Sequence, residues 1–134
     1  MKFCLDTNIV IYCLKGSFPA LLTHFKLRSP EQIMVPDIVR AELLYGAQKS
    51  QQKKRNLERL SIFLEPYQRL PFSGDAAQHY ADIRTDLESR GHPIGPNDLI
   101  IAATARAHSA ILVTHNVREF QRVRGLQVAD WTQS

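Results

Sequence analysis

The sequence predicts an α/β fold of three layers, with a mostly parallel central β-sheet flanked by helices. Three observations predict it. Short apolar segments with strand character alternate with longer segments of helical periodicity throughout the 134 residues. Such alternation implies βαβ crossovers, and crossovers make parallel pairing. No repeat, linker or low-complexity stretch divides the chain, so residues 1–134 read as one domain around one core.

Each element has its own justification. Lys2 to Asp6 reads as a buried strand, because Phe3-Cys4-Leu5 is an unbroken apolar run. Asn8 to Lys15 follows as a helix with Ile9, Val10, Ile11, Tyr12 and Leu14 towards the core, stopped by Gly16. Pro19 to Arg28 is a second helix, with Leu21, Leu22 and Phe25 at helical spacing. Gln32 to Val35 is a strand closed by Pro36, and Asp37 to Lys49 a helix weakened near its end by Gly46. Lys53 to Leu64 is amphipathic through Leu57, Leu60, Phe63 and Leu64. Tyr67 to Phe72 is a strand around Leu70, and Asp75 to Arg90 a helix ended by Gly91. After the rigid His92-Pro93-Ile94-Gly95-Pro96 loop, Asn97 to His108 is a helix rich in Ala and Ile, with Asn97 as its cap. Ala110 to Thr114 is a central strand and Gln127 to Ala129 a short last one.

Composition narrows the function. Hydrophobic residues make up 44% and charged residues 22%, as in ordinary globular proteins. No apolar run approaches the roughly 20 residues that span a bilayer, and the N-terminus lacks a secretory pattern; a cytoplasmic protein without a membrane association is expected. Cys4 and Cys13 fall inside elements and read as buried small hydrophobes. The five histidines are scattered without zinc spacing and read as surface or loop residues, His115 being the one to watch. Net charge is +4. Basic residues gather at Lys49, Lys53, Lys54, Arg55 and Arg59, and again at Arg118, Arg122 and Arg124; solvated helix faces or a phosphate-contacting surface would both give this pattern.

Four acids stand out. Parallel sheets carry ligands beyond the carboxyl ends of their strands. Asp6 sits there, at the end of the first strand, in D-T-N with Thr7 and Asn8; beside apolar neighbours it caps a helix or holds a cation. Thr114 and Asn116 follow the A-I-L-V-T strand to the same end, with Glu119 three residues on. Asp98 opens a helix that is almost wholly apolar, and Glu42 borders the apolar side of its own helix. Taken singly, each acid also fits an ordinary helix start or surface position. Crowded together they repel one another unless a cation neutralises them. Oxygen donors without Cys or clustered His suit Mg²⁺ or Mn²⁺.

The order D-T-N, E-L-L-Y-G, N-D-L-I-I-A-A-T-A and L-V-T-H-N-V-R-E-F resembles the PIN domain family. The length and the terminal V-A-D-W are similar to the VapC toxins of bacterial VapBC toxin–antitoxin modules. The resemblance spans essentially the whole chain. It implies a PIN-like fold and a Mg²⁺-dependent endoribonuclease (Mn²⁺ serving as well). Asp6 and Asp98 would be the metal ligands, Glu42 and Glu119 would complete the acidic cluster, and Thr114 would steady it. Many PIN domains carry Asp where this chain has Asn116, which leaves an amide to ligate through its carbonyl or to orient water. The resemblance further implies a VapB-type antitoxin, seated over the helices from Ile9 to Leu27 and Leu57 to Leu64, and a homodimer that joins the antitoxin in a hetero-oligomer. The implied substrate is RNA, with initiator tRNA cut in its anticodon loop.

Other readings are weaker on the residues. A phosphatase of the haloacid-dehalogenase type wants an acid where Asn8 stands, and a phosphate receiver wants a Lys after a later strand. A DNA nuclease of the same fold, or a non-catalytic RNA-binding module that keeps the fold, is separated from the ribonuclease reading by metal binding and by the nucleic acid cut.

Overall fold

A computed structural model describes residues 1–133. The elements run β1 (Phe3–Leu5), α1 (Thr7–Lys15), α2 (Pro19–Lys26), β2 (Ile33–Pro36), α3 (Asp37–Gln48), α4 (Lys53–Leu64), β3 (Gln68–Leu70), α5 (Asp75–Ser89), α6 (Pro96–Ala107), β4 (Ile111–Val113), α7 (Val117–Phe120) and β5 (Val128–Ala129). One 3₁₀ turn, Pro30–Gln32, leads into β2.

The strands form one sheet in the order β3-β2-β1-β4-β5, and every pair is parallel. Helices flank it, which is the α/β architecture that the alternation predicts. A parallel strand covered on both faces must be apolar along its length. Phe3, Cys4 and Leu5 of β1, all four residues of β2 and Leu112 and Val113 of β4 are accordingly buried. Ile9, Val10, Val39, Leu60, Ile83 and Leu87 supply the helical side of the core. In α6 the small Ala102, Ala103 and Ala105 are fully buried, which lets that helix approach its neighbours closely. Burial holds both cysteine thiols well above their usual range, and neither forms a disulfide.

The chain order locates the ligand crevice. From β1 the sheet grows one way through β2 to β3; the chain then returns to place β4 on the other side of β1 and grows outward to β5. The reversal lies between β1 and β4, and a crevice opens at the carboxyl end of the strands at such a point.

Several local expectations are corrected. Asn97 does not cap α6: Gly95 takes that position and Pro96 opens the helix, its fixed φ being suited to the first turn. The third strand is shorter than Tyr67 to Phe72, because Tyr67 N turns back to Leu64 O and only Leu70 of the edge strand is buried. His24 is not a loop residue. It lies in α2, half-buried, with its ring stacked on buried Trp131 at 5.5 Å and 4°.

Candidate functional site

Asp6 is the residue immediately after β1 and is 6% exposed. Its two oxygens have different tasks. Oδ1 accepts from Ile9 N at 3.0 Å and so caps α1. Oδ2 accepts from Thr114 Oγ1 in a short hydrogen bond that crosses the switch point from β4 to β1. The Thr114 hydroxyl in turn accepts from Asn116 N at 3.0 Å. Thr114 is itself fully buried, so this bond joins two buried polar groups that each need a partner. Helix capping thus engages one carboxylate oxygen and the Thr114 hydroxyl the other.

The other acids converge from three helices. On α3, Glu42 Oε1 accepts from Thr7 Oγ1 at 2.7 Å and Oε2 accepts from Asn97 Nδ2 at 3.2 Å. Thr7 therefore opens α1 and also holds Glu42, whereas Asn8 is exposed beside them. Asn97, read in the sequence as a cap, is instead a second tether on Glu42. On α7, Glu119 accepts from Asn116 Nδ2. Asp98 stands in the first turn of α6 within hydrogen-bonding reach of Glu119 and near Asp6 and Glu42.

Electrostatics show how tightly the group is crowded. The first turn of a helix favours a negative charge, yet Asp98 is pushed up to about 7. Partial burial is the largest cause; the charge of Glu119 and a hydrogen bond shared with it come next, followed by Asp6 and Glu42. The Asp6 carboxyl is raised as well, by burial above all and also by Glu42, against the opposing bonds from Thr114 and Ile9 N. Among the described residues no Lys, Arg or His forms an ion pair with any of the four acids.

The donor set fits a hard divalent cation: carboxylate oxygens, with amide and hydroxyl oxygens beside them and no sulfur or imidazole. The cage is not pre-closed, since among the described residues no three acid, His or Cys side chains are already arranged as ligands. Hydrogen bonds to Thr114, Thr7, Asn97 and Asn116 hold the carboxylates in its place. All eight residues singled out in the sequence (Asp6, Thr7, Asn8, Glu42, Asp98, Thr114, Asn116 and Glu119) lie at this end of the sheet. Asn97 was missed because its partner is 55 residues away.

Beside Glu42 a groove of about 370 Å³ runs between α1, α3 and α4, lined by Ile11, Leu14, Leu43, Gly46 and Leu60 among others.

Comparison with known proteins agrees with the fold. The family model described as "PIN domain" matches residues 3–126. The tRNA(fMet)-specific endonuclease VapC of Shigella flexneri is 39% identical over 132 residues, 98% of this chain and 99% of that protein. Ribonuclease VapC2 of Rickettsia felis is likewise 39% identical over 132 residues, at 98% of each. Among solved structures, VapBC2 from Rickettsia felis bound to a promoter DNA fragment superposes with a TM-score of 0.91 at 37% identity, over 98% of this chain and 99% of that one. DNA-bound VapBC from Salmonella typhimurium gives 0.92 at 36%, over 98% of each chain.

Proposed function

This chain belongs to the PIN domain family, in its VapC branch, and from that premise we propose that it is a metal-dependent endoribonuclease, the toxin of a type II toxin–antitoxin module that stops translation by cutting RNA. The observation that carries the reading is the convergence of Asp6, Glu42, Asp98 and Glu119 at the switch point, with no basic partner among the described residues. Such a cluster is costly for a fold to keep unless a cation uses it.

Asp6 and Asp98 would hold Mg²⁺, or Mn²⁺ in its stead. When bound, the ion supplies Lewis-acid stabilisation of the charge that builds on a phosphodiester under attack and on its leaving oxygen. The chain's own residues prepare the rest. Thr114 and the α1 cap fix Asp6 in one rotamer. Thr7 and Asn97 fix Glu42, and Asn116 fixes Glu119 beside Asp98. Glu42 or Glu119 orients the attacking water and takes its proton. Hydrolysis of this kind leaves a 5′-phosphate and a 3′-hydroxyl.

The substrate we assign is initiator tRNA, cut in its anticodon loop. The Shigella flexneri relative named for tRNA(fMet) supports it, and unpaired loops are where RNA exposes its backbone and bases to a protein. The partner is a VapB-type antitoxin, whose apolar segment would lie in the groove that ends at Glu42 and cover the site. A homodimer and its hetero-oligomer with the antitoxin belong to the same reading.

The test is incubation of antitoxin-free protein with total bacterial RNA in Mg²⁺ and in EDTA, with the new ends mapped by sequencing. One metal-dependent cut in a tRNA, leaving a 5′-phosphate, is the expected result. A 2′,3′-cyclic phosphate product would overturn the water-attack mechanism, and metal-dependent cutting of DNA alone would reassign the substrate.

A further inference from the structure

Beyond the acid cluster, the carboxyl end of the sheet carries a second built arrangement. His115 follows Thr114, and Asp130 follows β5, the strand paired with β4. The His115 Nδ1 lies 3.1 Å from Asp130 Oδ2. A carboxylate only accepts, so Nδ1 carries the proton and donates. Thr132 Oγ1 donates to Asp130 Oδ1 at 2.6 Å and lies 3.0 Å from the same Nδ1. Thr132 N donates to Asp130 Oδ1 as well, at 2.9 Å. Both Asp130 oxygens are thus spent on holding one imidazole and its anchor.

The ring is backed as well as tethered. Phe18 packs against it at 5.3 Å and 50°, and Tyr12 meets it edge-on at 6.1 Å and 82°. Those two rings pack on each other at 5.0 Å. Despite this support, the His115 side chain stays 44% exposed, whereas the Asp130 side chain is only 14% exposed. A sheltered carboxylate therefore fixes an aromatic ring whose remaining surface faces solvent. The neighbours of His115 in the chain, Thr114 and Asn116, both bond into the acid cluster.

Resting on the ribonuclease reading above, we propose that His115 is a substrate-positioning residue, its tethered ring being the stacking platform for an unpaired nucleobase beside the phosphate to be cut. A rigid aromatic ring stacks on any base without losing rotamer freedom, which is how single-stranded nucleic acid is gripped. Asp130 and Thr132 occupy the ring at Nδ1, which leaves its solvent-facing surface to meet a base. The exposed Arg118, one turn on, supplies positive charge for the backbone. Holding the flanking base keeps the RNA seated across the acids equally in the ground and transition states, so losing the contact raises KM and leaves kcat.

The experiment compares the wild-type chain with His115→Ala and His115→Phe, each checked for an unchanged melting temperature. Binding of a fluorescein-labelled anticodon stem–loop RNA is measured in EDTA, and kcat and KM for the same RNA in Mg²⁺. His115→Ala should weaken binding and raise KM by about tenfold, with the loss in KM and not in kcat. His115→Phe should recover most of that affinity. Unchanged binding in His115→Ala overturns the proposal, and leaves the ribonuclease reading intact if the RNA is still cut. A Phe variant as weak as Ala also overturns it, because the contact is then made by the ring nitrogen. So does a loss of affinity confined to a VapB-type antitoxin, since the face is then a protein contact. If the wild type binds the RNA through His115 but never cuts it, the platform stands and the ribonuclease reading falls.

Discussion

At Asp98 two effects oppose each other, and their outcome is measurable. The helix N-terminus favours its charge; burial and three neighbouring acids disfavour it and prevail, to about 7. In the folded chain the group holds its proton between the ordinary 3.8 and about 7, where the unfolded chain has released it. The folded state binds more protons in that window, so stability falls as pH rises through it and stays low above. The raised Asp6 carboxyl acts in the same direction. In EDTA the melting temperature should therefore drop between pH 4 and pH 7, and Asp98→Asn should flatten the drop. The same variant should lose RNA cleavage by roughly 100-fold or more, because it removes one of the two carboxylates that would hold the cation. A pH-independent melting temperature in EDTA would show that the acids are not crowded in solution. For Asp6→Ala, loss of the α1 cap should cost about 1 kcal/mol, read by urea denaturation.

At the scale of elements, Arg40 on α3 and Arg69 on β3 make opposite cases. Arg40 is half-buried and donates to Val35 O at 3.2 Å and Tyr67 O at 3.1 Å, tying α3 to β2 and to the start of β3. Arg69 forms a two-pronged pair with Asp37, both bonds at 2.9 Å, but its side chain is 69% exposed. Charged hydrogen bonds to sheltered carbonyls outweigh an exposed ion pair. Arg40→Ala should cost about 2 kcal/mol, whereas Arg69→Ala should leave stability almost unchanged because solvent screens its pair, both read by denaturant midpoint. Equal losses would mean the tie to β3 contributes nothing. Elements with strong patterns were legible from the sequence: the apolar run of β1, the Gly16 stop and the Ala-rich α6 each signal themselves locally. The four-residue α7 was not, since Val117–Phe120 is too short to show a period. Strand ends slipped by a residue or two because edge pairing, not local pattern, sets them.

At the scale of the whole molecule, the order of strands decides which acids meet. Asp6 and Thr114 lie 108 residues apart and are joined only because β4 returns beside β1. The sequence placed both at strand ends and so made the pit legible, but the tethers from Thr7 and Asn97 to Glu42 depend on a packing of α1, α3 and α6 that no local spacing reveals. The groove at Glu42 links this pit to the surface proposed for the antitoxin. A Cβ on Gly46 meets nothing within 4 Å, and its backbone is ordinary helix. Gly46→Leu should therefore keep or raise stability and keep RNA cleavage, while filling the groove and weakening a VapB-type antitoxin at least tenfold; unchanged antitoxin affinity would move the partner elsewhere. The central claim, that the acid cluster is a divalent-cation site, is tested most directly by thermal melting of the metal-free protein at pH 8 with increasing Mg²⁺, alongside Asp98→Asn. Binding to the folded state alone raises the melting temperature with ion concentration. The account predicts a saturable rise in the wild type that is absent in Asp98→Asn, and equal responses in the two proteins would contradict it.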